Sequence, residues 1–302
     1  MSASASSTRC LPNGSVAVSR DGPEAGVPAG VGPIRAGAAP SWFSFWIIGP
    51  SVDQVVGERR ALVSQGVDHR PGWSPDSIAA RGLLLIVPLL MLDLDNTLVD
   101  RDAAFRDAVT AFLAEHHLPA TDVTWVMAVD AGGYTARPDV AVAMNDRFRG
   151  RAPATAVQAL LDRGGADHVV LTDVAREALS RASADGWACV IVTNGRTVQQ
   201  EAKIFRTGLD RLVQGWVISE KVGFKKPDPK IFHAAADAVG VPLVGAWVIG
   251  DSAHADIAGA DALGLRSIWV SNGRAWEQAS SRPTHITEDF ATAIDRLIST
   301  AE

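Results

Sequence analysis

Hydrophobic positions follow two regimes along the chain. After residue 82 they come in short unbroken runs, each ending at a small or polar residue. Residues 83–92 are apolar throughout and stop at Asp93. Residues 187–192 stop at Thr193, and residues 246–249 stop at Gly250 and Asp251. Residues 215–218 give a further run, and residues 266–270 a weaker fifth one. Runs of this length without alternation predict strands buried on both faces, as in a parallel sheet covered by helices. Between them, residues 169–184, 198–209, 229–239 and 255–263 carry apolar side chains at helical spacing. Alternation of the two predicts an α/β fold, a Rossmann-like parallel sheet flanked by helices.

One interval is too long for a single crossover. Residues 101–185 have room for several helices, with a polar, glycine-containing break at 130–138. An insertion of that size predicts an α-helical cap subdomain at residues 101–185. It would rise from the carboxyl end of the first strand, where open α/β sheets bind ligands. The core would then comprise residues 83–100 and 186–302.

Before residue 83 no apolar period survives. Glycine and proline supply 11 of the first 40 residues, close to the ~25–30% that marks low-complexity sequence. The exception is an apolar patch at residues 42–48. Residues 1–82 therefore read as a disordered or non-native extension. Residues 87–92 would still supply apolar residues before Asp93, and the working chain is expected to begin by initiation at Val87. The first twenty residues contain no apolar core of secretory length.

Composition narrows the function. Hydrophobic residues at 47% and charged residues at 21% exclude a globally disordered chain. The net charge is −6, and after Arg81 there are 21 basic against 28 acidic residues. That balance argues against a nucleic-acid partner held by a broad cationic face. The ten-residue run at 83–92 includes Pro88 and is too short to cross a bilayer. Cys10 and Cys189 cannot form a disulfide framework, which points to the reducing cytoplasm. Oligomeric state is not legible.

Four groups of residues carry candidate chemistry, each at a strand end. Asp93 and Asp95, in Asp93-Leu94-Asp95-Asn96-Thr97, place two carboxylates in one strand-to-loop transition. Their repulsion would raise one pKa unless a cation intervenes. Mg²⁺ takes one or two carboxylates together with waters and a substrate phosphate. Alone, the same pair also reads as a solvated acidic turn. Thr193-Asn194-Gly195 offers a hydroxyl and free backbone N–H groups at a helix N-terminus, an anion site or a plain helix cap. The chain has five lysines, four of them between residues 221 and 230. Lys225 and Lys226 are rivals there for a positioned cation. Gly250-Asp251-Ser252 follows the fourth strand, with Asp256 five residues beyond Asp251.

In this order, these motifs resemble the haloacid dehalogenase (HAD) superfamily of aspartate-nucleophile phosphohydrolases, over about residues 83–272. Position by position, the resemblance implies that Asp93 attacks phosphorus and that Asp95 serves as general acid and base. It implies that Mg²⁺ is held by Asp93, Asp95 through its backbone carbonyl, and Asp251. Thr193 and the Asn194 N–H would bind phosphoryl oxygens, with Lys226, preferred over Lys225, balancing charge beside Asp93. Thr97, Ser252 and Asp256 would support this set, Asp256 by orienting Lys226 or a metal-bound water. The implied substrate is a small phosphorylated metabolite. The alternatives are a phosphotransferase or mutase of the same fold, a 2-haloacid dehalogenase-type hydrolase, and a non-catalytic phosphate-binding regulator. Asp95 weighs against dehalogenation, because expelled halide needs no proton.

In the cap, Tyr134 and Arg137 lie in a loop placed to lean over the site, with Arg137 facing an anionic substrate group. An exposed helix connection is the simpler reading of the same residues. Arg147, Arg149 and Arg151 read as a solvated helix end, and Trp125 and Phe148 as cap core.

Overall fold

The computed structural model describes residues 68–69 and 87–301. The apolar patch at 42–48, the proposed start at Val87 as a boundary with what precedes it, and residues 83–86 of the first run fall on or against residues outside that set.

A seven-stranded sheet runs in the order β1-β4-β3-β2-β5-β6-β7. The strands are β1 (Asp68–His69), β2 (Leu89–Leu92), β3 (Ala188–Thr193), β4 (Gly215–Ile218), β5 (Trp247–Gly250), β6 (Arg266–Val270) and β7 (His285–Thr287). Strands β2 to β7 pair in parallel. The chain builds outward from β2 through β3 to β4, then returns to build β5, β6 and β7 on the other side. The crevice at a switch point of this kind opens at the carboxyl ends of the strands. Asp93 follows β2, Thr193 ends β3 and Asp251 follows β5, so the motifs converge there.

The unbroken apolar runs are explained by the two faces. Leu90, Leu92, Cys189, Ile191, Trp247 and Ile249 point into one cluster, where α5 (Asp173–Ala184) and α10 (Phe290–Ala301) pack. Leu89, Met91, Ala188, Val190, Val192 and Val248 point into the other, against α8 (Pro229–Val239). Successive side chains of a strand alternate faces, so a strand covered on both sides has no polar position.

Helices α1 (Arg101–Glu115), α2 (Asp122–Asp130), α3 (Arg137–Arg147) and α4 (Ala154–Arg163) follow β2 and share a separate core of Phe105, Val109, Phe112, Val126, Met144, Phe148 and Leu161. Trp125 meets Phe148 edge-on at 6.1 Å, within this core. Arg147 pairs with Asp122, Arg149 with Asp146, and Arg151 donates to the carbonyl of His117.

Four differences from the pattern-based expectations have physical causes. Among the described residues the first strand is Leu89–Leu92 and leaves out Val87 and Pro88, since Pro88 has no N–H to donate to a ladder. The helix expected at 169–184 begins at Asp173, where the Thr172 hydroxyl caps the N–H of Ala175. That helix packs with the sheet, whereas the expected cap reached residue 185. The helix expected at 255–263 is a π-helical turn, Ala253–Ile257, followed by α9 (Ala258–Ala262). Within the extension read as disordered, Asp68–His69 pairs antiparallel with Trp216 and Gly215. The free N–H and C=O groups of the β4 edge are the template for that pairing.

Candidate active site

Asp93 continues the pairing of β2 with β5 through its N–H to the carbonyl of Ile249 (2.9 Å). The chain then turns back on itself, with Asn96 in the left-handed region (φ 58°), a conformation asparagine tolerates. Thr97 Oγ1 donates to Asp93 Oδ2 at 3.2 Å. Lys226 Nζ donates to Asp93 Oδ1 (2.6 Å), to Asp256 Oδ1 (2.7 Å) and to the carbonyl of Val192 (2.6 Å). The ammonium has three hydrogens, and all three are engaged. Lys225 is exposed.

Two local devices fix this lysine. The Asn194 side chain brackets its backbone, accepting from Lys226 N–H (2.8 Å) and donating to its carbonyl (3.0 Å). Asp256 accepts from Lys226 with one oxygen and from the Ser252 N–H with the other (3.0 Å). Gly250 makes that approach possible: a Cβ there would lie 2.2 Å from Asp256 Cγ.

Carboxylate oxygens of Asp93, Asp251 and Asp256 lie within 4.8 Å of one another, and all three residues are buried. Burial pushes the Asp93 carboxyl up to about 8, with Lys226 opposing and Asp256 and Asp251 adding to the rise. Burial and the neighbouring Asp256 push Asp251 up to about 7, against the pull of Arg274, which donates to Asp251 Oδ2 at 3.0 Å. Burial works against the charge on Lys226, but Asp256 and Asp93 more than offset it. Hard oxygen donors with unrelieved negative charge suit a hard divalent cation such as Mg²⁺.

Asp95 points elsewhere. Both its oxygens meet Lys203 Nζ at 2.7 Å, and Gln200 Nε2 donates to Oδ2 at 3.0 Å. Burial tends to raise this carboxyl, yet Lys203 and Gln200 hold it below the usual range. Gln200 also donates to Thr193 Oγ1 at 2.6 Å. Lys203 and Gln200 lie on α6 (Thr197–Thr207) and are absent from the set inferred from sequence. The available signal was the fifth lysine, isolated from the other four.

The expected anion site differs in detail. The N–H of Gly195 donates to Ser219 Oγ (3.0 Å) and that of Thr197 to the Glu220 carboxylate (2.7 Å). Helix-start donors seek oxygen acceptors, and the segment after β4 supplies them. Those two N–H groups are therefore engaged.

The cap loop does reach the core. Tyr134 O–H donates to Ser252 Oγ at 3.0 Å, although most of the side chain is exposed. Ser252 Oγ also accepts from the Ala255 N–H. Arg137, expected to face substrate, instead donates to Asp130 Oδ1 (2.7 Å). The fully buried Asp130 carboxylate also accepts from Arg101 and the Gly133 N–H, so it gathers cations from both sides of the loop.

A model of the haloacid dehalogenase-like hydrolases matches residues 87–264. The chain belongs to that family. The match includes β2, β3 and β5 with the motifs that follow them, and the whole helical insertion. Over 100 residues the chain is 37% identical to a glyceraldehyde 3-phosphate phosphatase of Pyrococcus furiosus, covering 33% of this chain and 42% of that protein. Over 105 residues it is 35% identical to a phosphoserine phosphatase of Thermus thermophilus, covering 35% and 42%. The matches thus span less than half the length of these relatives. The fold is shared with magnesium-bound YfnB of Bacillus subtilis, at a TM-score of 0.58 and 22% identity over 70% of this chain and 98% of that one. Among the described residues no helix is long and apolar enough to cross a membrane.

Proposed function

We propose that this HAD-like hydrolase is a Mg²⁺-dependent phosphohydrolase that cleaves a small phosphomonoester through an aspartyl-phosphate on Asp93. The observation that carries this reading is the contrast within one turn: Asp93 sits in a cluster of excess negative charge, and Asp95 is separately neutralised by Lys203.

Asp93 Oδ attacks phosphorus, the bond to the ester oxygen breaks, and that oxygen takes a proton from Asp95. The negative charge of the incoming ester opposes the pull of Lys203 and favours the protonated form of Asp95, the proton being taken up from water. Asp95, again a carboxylate, then accepts a proton from the water that hydrolyses the phosphoaspartate. Bound by Asp93, Asp251 and the backbone carbonyl of Asp95, Mg²⁺ would supply the charge that lets a carboxylate approach an anionic ester. Lys226 holds Asp93 in place, Asp256 and Asn194 hold Lys226, and Thr97 steadies the second Asp93 oxygen. Thr193 and the N–H of Asn194 receive phosphoryl oxygens.

Residues 101–163 serve as the cap, with Tyr134 the contact that selects substrate shape and Arg137 held in reserve by Asp130. The named activities of the relatives make three-carbon phosphates, glyceraldehyde 3-phosphate and phosphoserine, the first candidates. Free, buried Cys189 suits a reducing cytoplasm.

The test is hydrolysis of nitrophenyl phosphate with Mg²⁺, followed by a panel of phosphorylated metabolites compared by kcat/KM. Activity lost in Asp93→Asn supports the reading, and equal rates in wild type and variant overturn it.

A further inference from the structure

Lys203 is the one lysine outside the 221–230 segment, in a chain that otherwise uses arginine. It is 4% exposed, in the middle of α6. Burying an ammonium carries a large desolvation penalty that only close partners offset. Its carboxylate partner is Asp95, 108 positions earlier, met at both oxygens. Ile204, its neighbour on α6, goes into the sheet's apolar cluster. A methionine or leucine at 203 would serve packing alone at lower desolvation cost.

Gln200 lies one turn earlier on the same face of α6, at the i,i+3 spacing that makes side chains neighbours. Its amide bears two hydrogens, and the two short contacts take one each: Asp95 Oδ2 at 3.0 Å and Thr193 Oγ1 at 2.6 Å. A side chain from the first motif and one from the end of β3 are thereby tied to a single helix.

We infer that Lys203, with Gln200, is a positioning residue for Asp95: α6 sets the direction of that carboxylate and locks it to the Thr193 hydroxyl. Lys203 does not touch the ester and acts through Asp95. The inference rests on the phosphohydrolase reading, in which Asp95 gives its proton to the departing oxygen as the phosphorus bonds to Asp93. Misdirecting Asp95 would then matter in proportion to how badly the leaving oxygen needs that proton. An alkoxide needs it, whereas nitrophenolate leaves readily without it.

The experiment compares kcat/KM for glycerol phosphate and for nitrophenyl phosphate, because kcat/KM reports only steps up to transfer onto Asp93. In Lys203→Met the alkyl ester should lose about 100-fold, within the ~10²–10⁴ range of general acid catalysis, and the aryl ester less than about 5-fold. Lys203→Arg should recover part of the alkyl activity. In an Asp95→Asn background, Lys203→Met should change neither ester by more than about 2-fold, since coupled residues are not additive. Gln200→Leu should show the same leaving-group dependence at about 10-fold, and it replaces Lys203→Met if that variant does not fold. Equal losses on both esters, or a full further loss in the Asp95→Asn background, would overturn the inference. Failure of the underlying reading looks different: wild type itself would cleave neither ester with Mg²⁺.

Discussion

Two lysine–aspartate contacts lie within one turn of chain from each other and do opposite things. Lys226 stands among three carboxylates, those of Asp93, Asp256 and, beyond them, Asp251. Lys203 stands against one, that of Asp95. In the first arrangement burial pushes the Asp93 carboxyl up to about 8, against the pull of Lys226 and with Asp256 and Asp251 adding to the rise. In the second, the balance is one to one, and the Asp95 carboxyl is held down. Two aspartates two positions apart thus stand in different surroundings, one in a crowded acidic cluster and one in a one-to-one pair. A divalent cation beside Asp93 would favour its carboxylate form, the form that attacks phosphorus.

The largest expected effect is at Asp93. Asp93→Asn should reduce turnover of any ester by about 10⁴-fold or more, because a covalent step has no substitute route. Rates within tenfold of wild type would erase the distinction between the two aspartates. Lys226→Met comes next. It leaves buried carboxylates without their partner, and breaking such a pair typically removes about 3–5 kcal/mol of stability. Chemical denaturation should register that loss together with a fall in activity on alkyl and aryl esters alike. The lack of leaving-group dependence is what separates it from Lys203→Met.

The pH dependence sharpens the contrast through its sign. Asp93 and Asp251 have folded-state values raised above those of the unfolded chain. Their contribution to the metal-free protein is complete at low pH and is lost as pH rises through about 7 to 8. Asp95 runs the other way, since its lowered value gives stability at neutral pH that is lost as acid protonates it. Mg²⁺ competes with protons for Asp93 and Asp251, so its stabilising effect should grow with pH. Thermal unfolding with and without Mg²⁺ at pH 5.5 to 8 (roughly the range these shifts cover) checks this; a Mg²⁺ shift that is flat or larger in acid would contradict it. The smallest effect is expected at Tyr134→Phe. Losing its hydrogen bond to Ser252, about 0.5–1.5 kcal/mol, should raise KM by about 2- to 10-fold with kcat nearly unchanged.

The sheet was legible because burial on both faces writes itself locally: every residue from Leu89 to Leu92 is apolar and fully buried. The four motifs were legible because each follows a strand end. Lys203 and Gln200 were not, because what gives them meaning is contact across more than a hundred positions. On α6 alone, Gln-x-x-Lys reads as an ordinary polar face. Asp130 was missed for a related reason. In sequence it is the polar end of a break, and only the fold brings Arg101 and Arg137 to it. That the N–H groups of Gly195 and Thr197 are taken was hidden for the same reason, since Ser219 and Glu220 arrive from another loop.

The division between the two aspartates can be read directly on the protein. Wild type and Asp95→Asn, quenched in acid during turnover with Mg²⁺ and then digested, should yield one phosphorylated peptide with the phosphoryl group on Asp93. The label should accumulate in Asp95→Asn, where the base for the second step is gone, and be absent in Asp93→Asn. A phosphoryl group on Asp95, or turnover by wild type with no label trapped in either protein, would contradict the assignment.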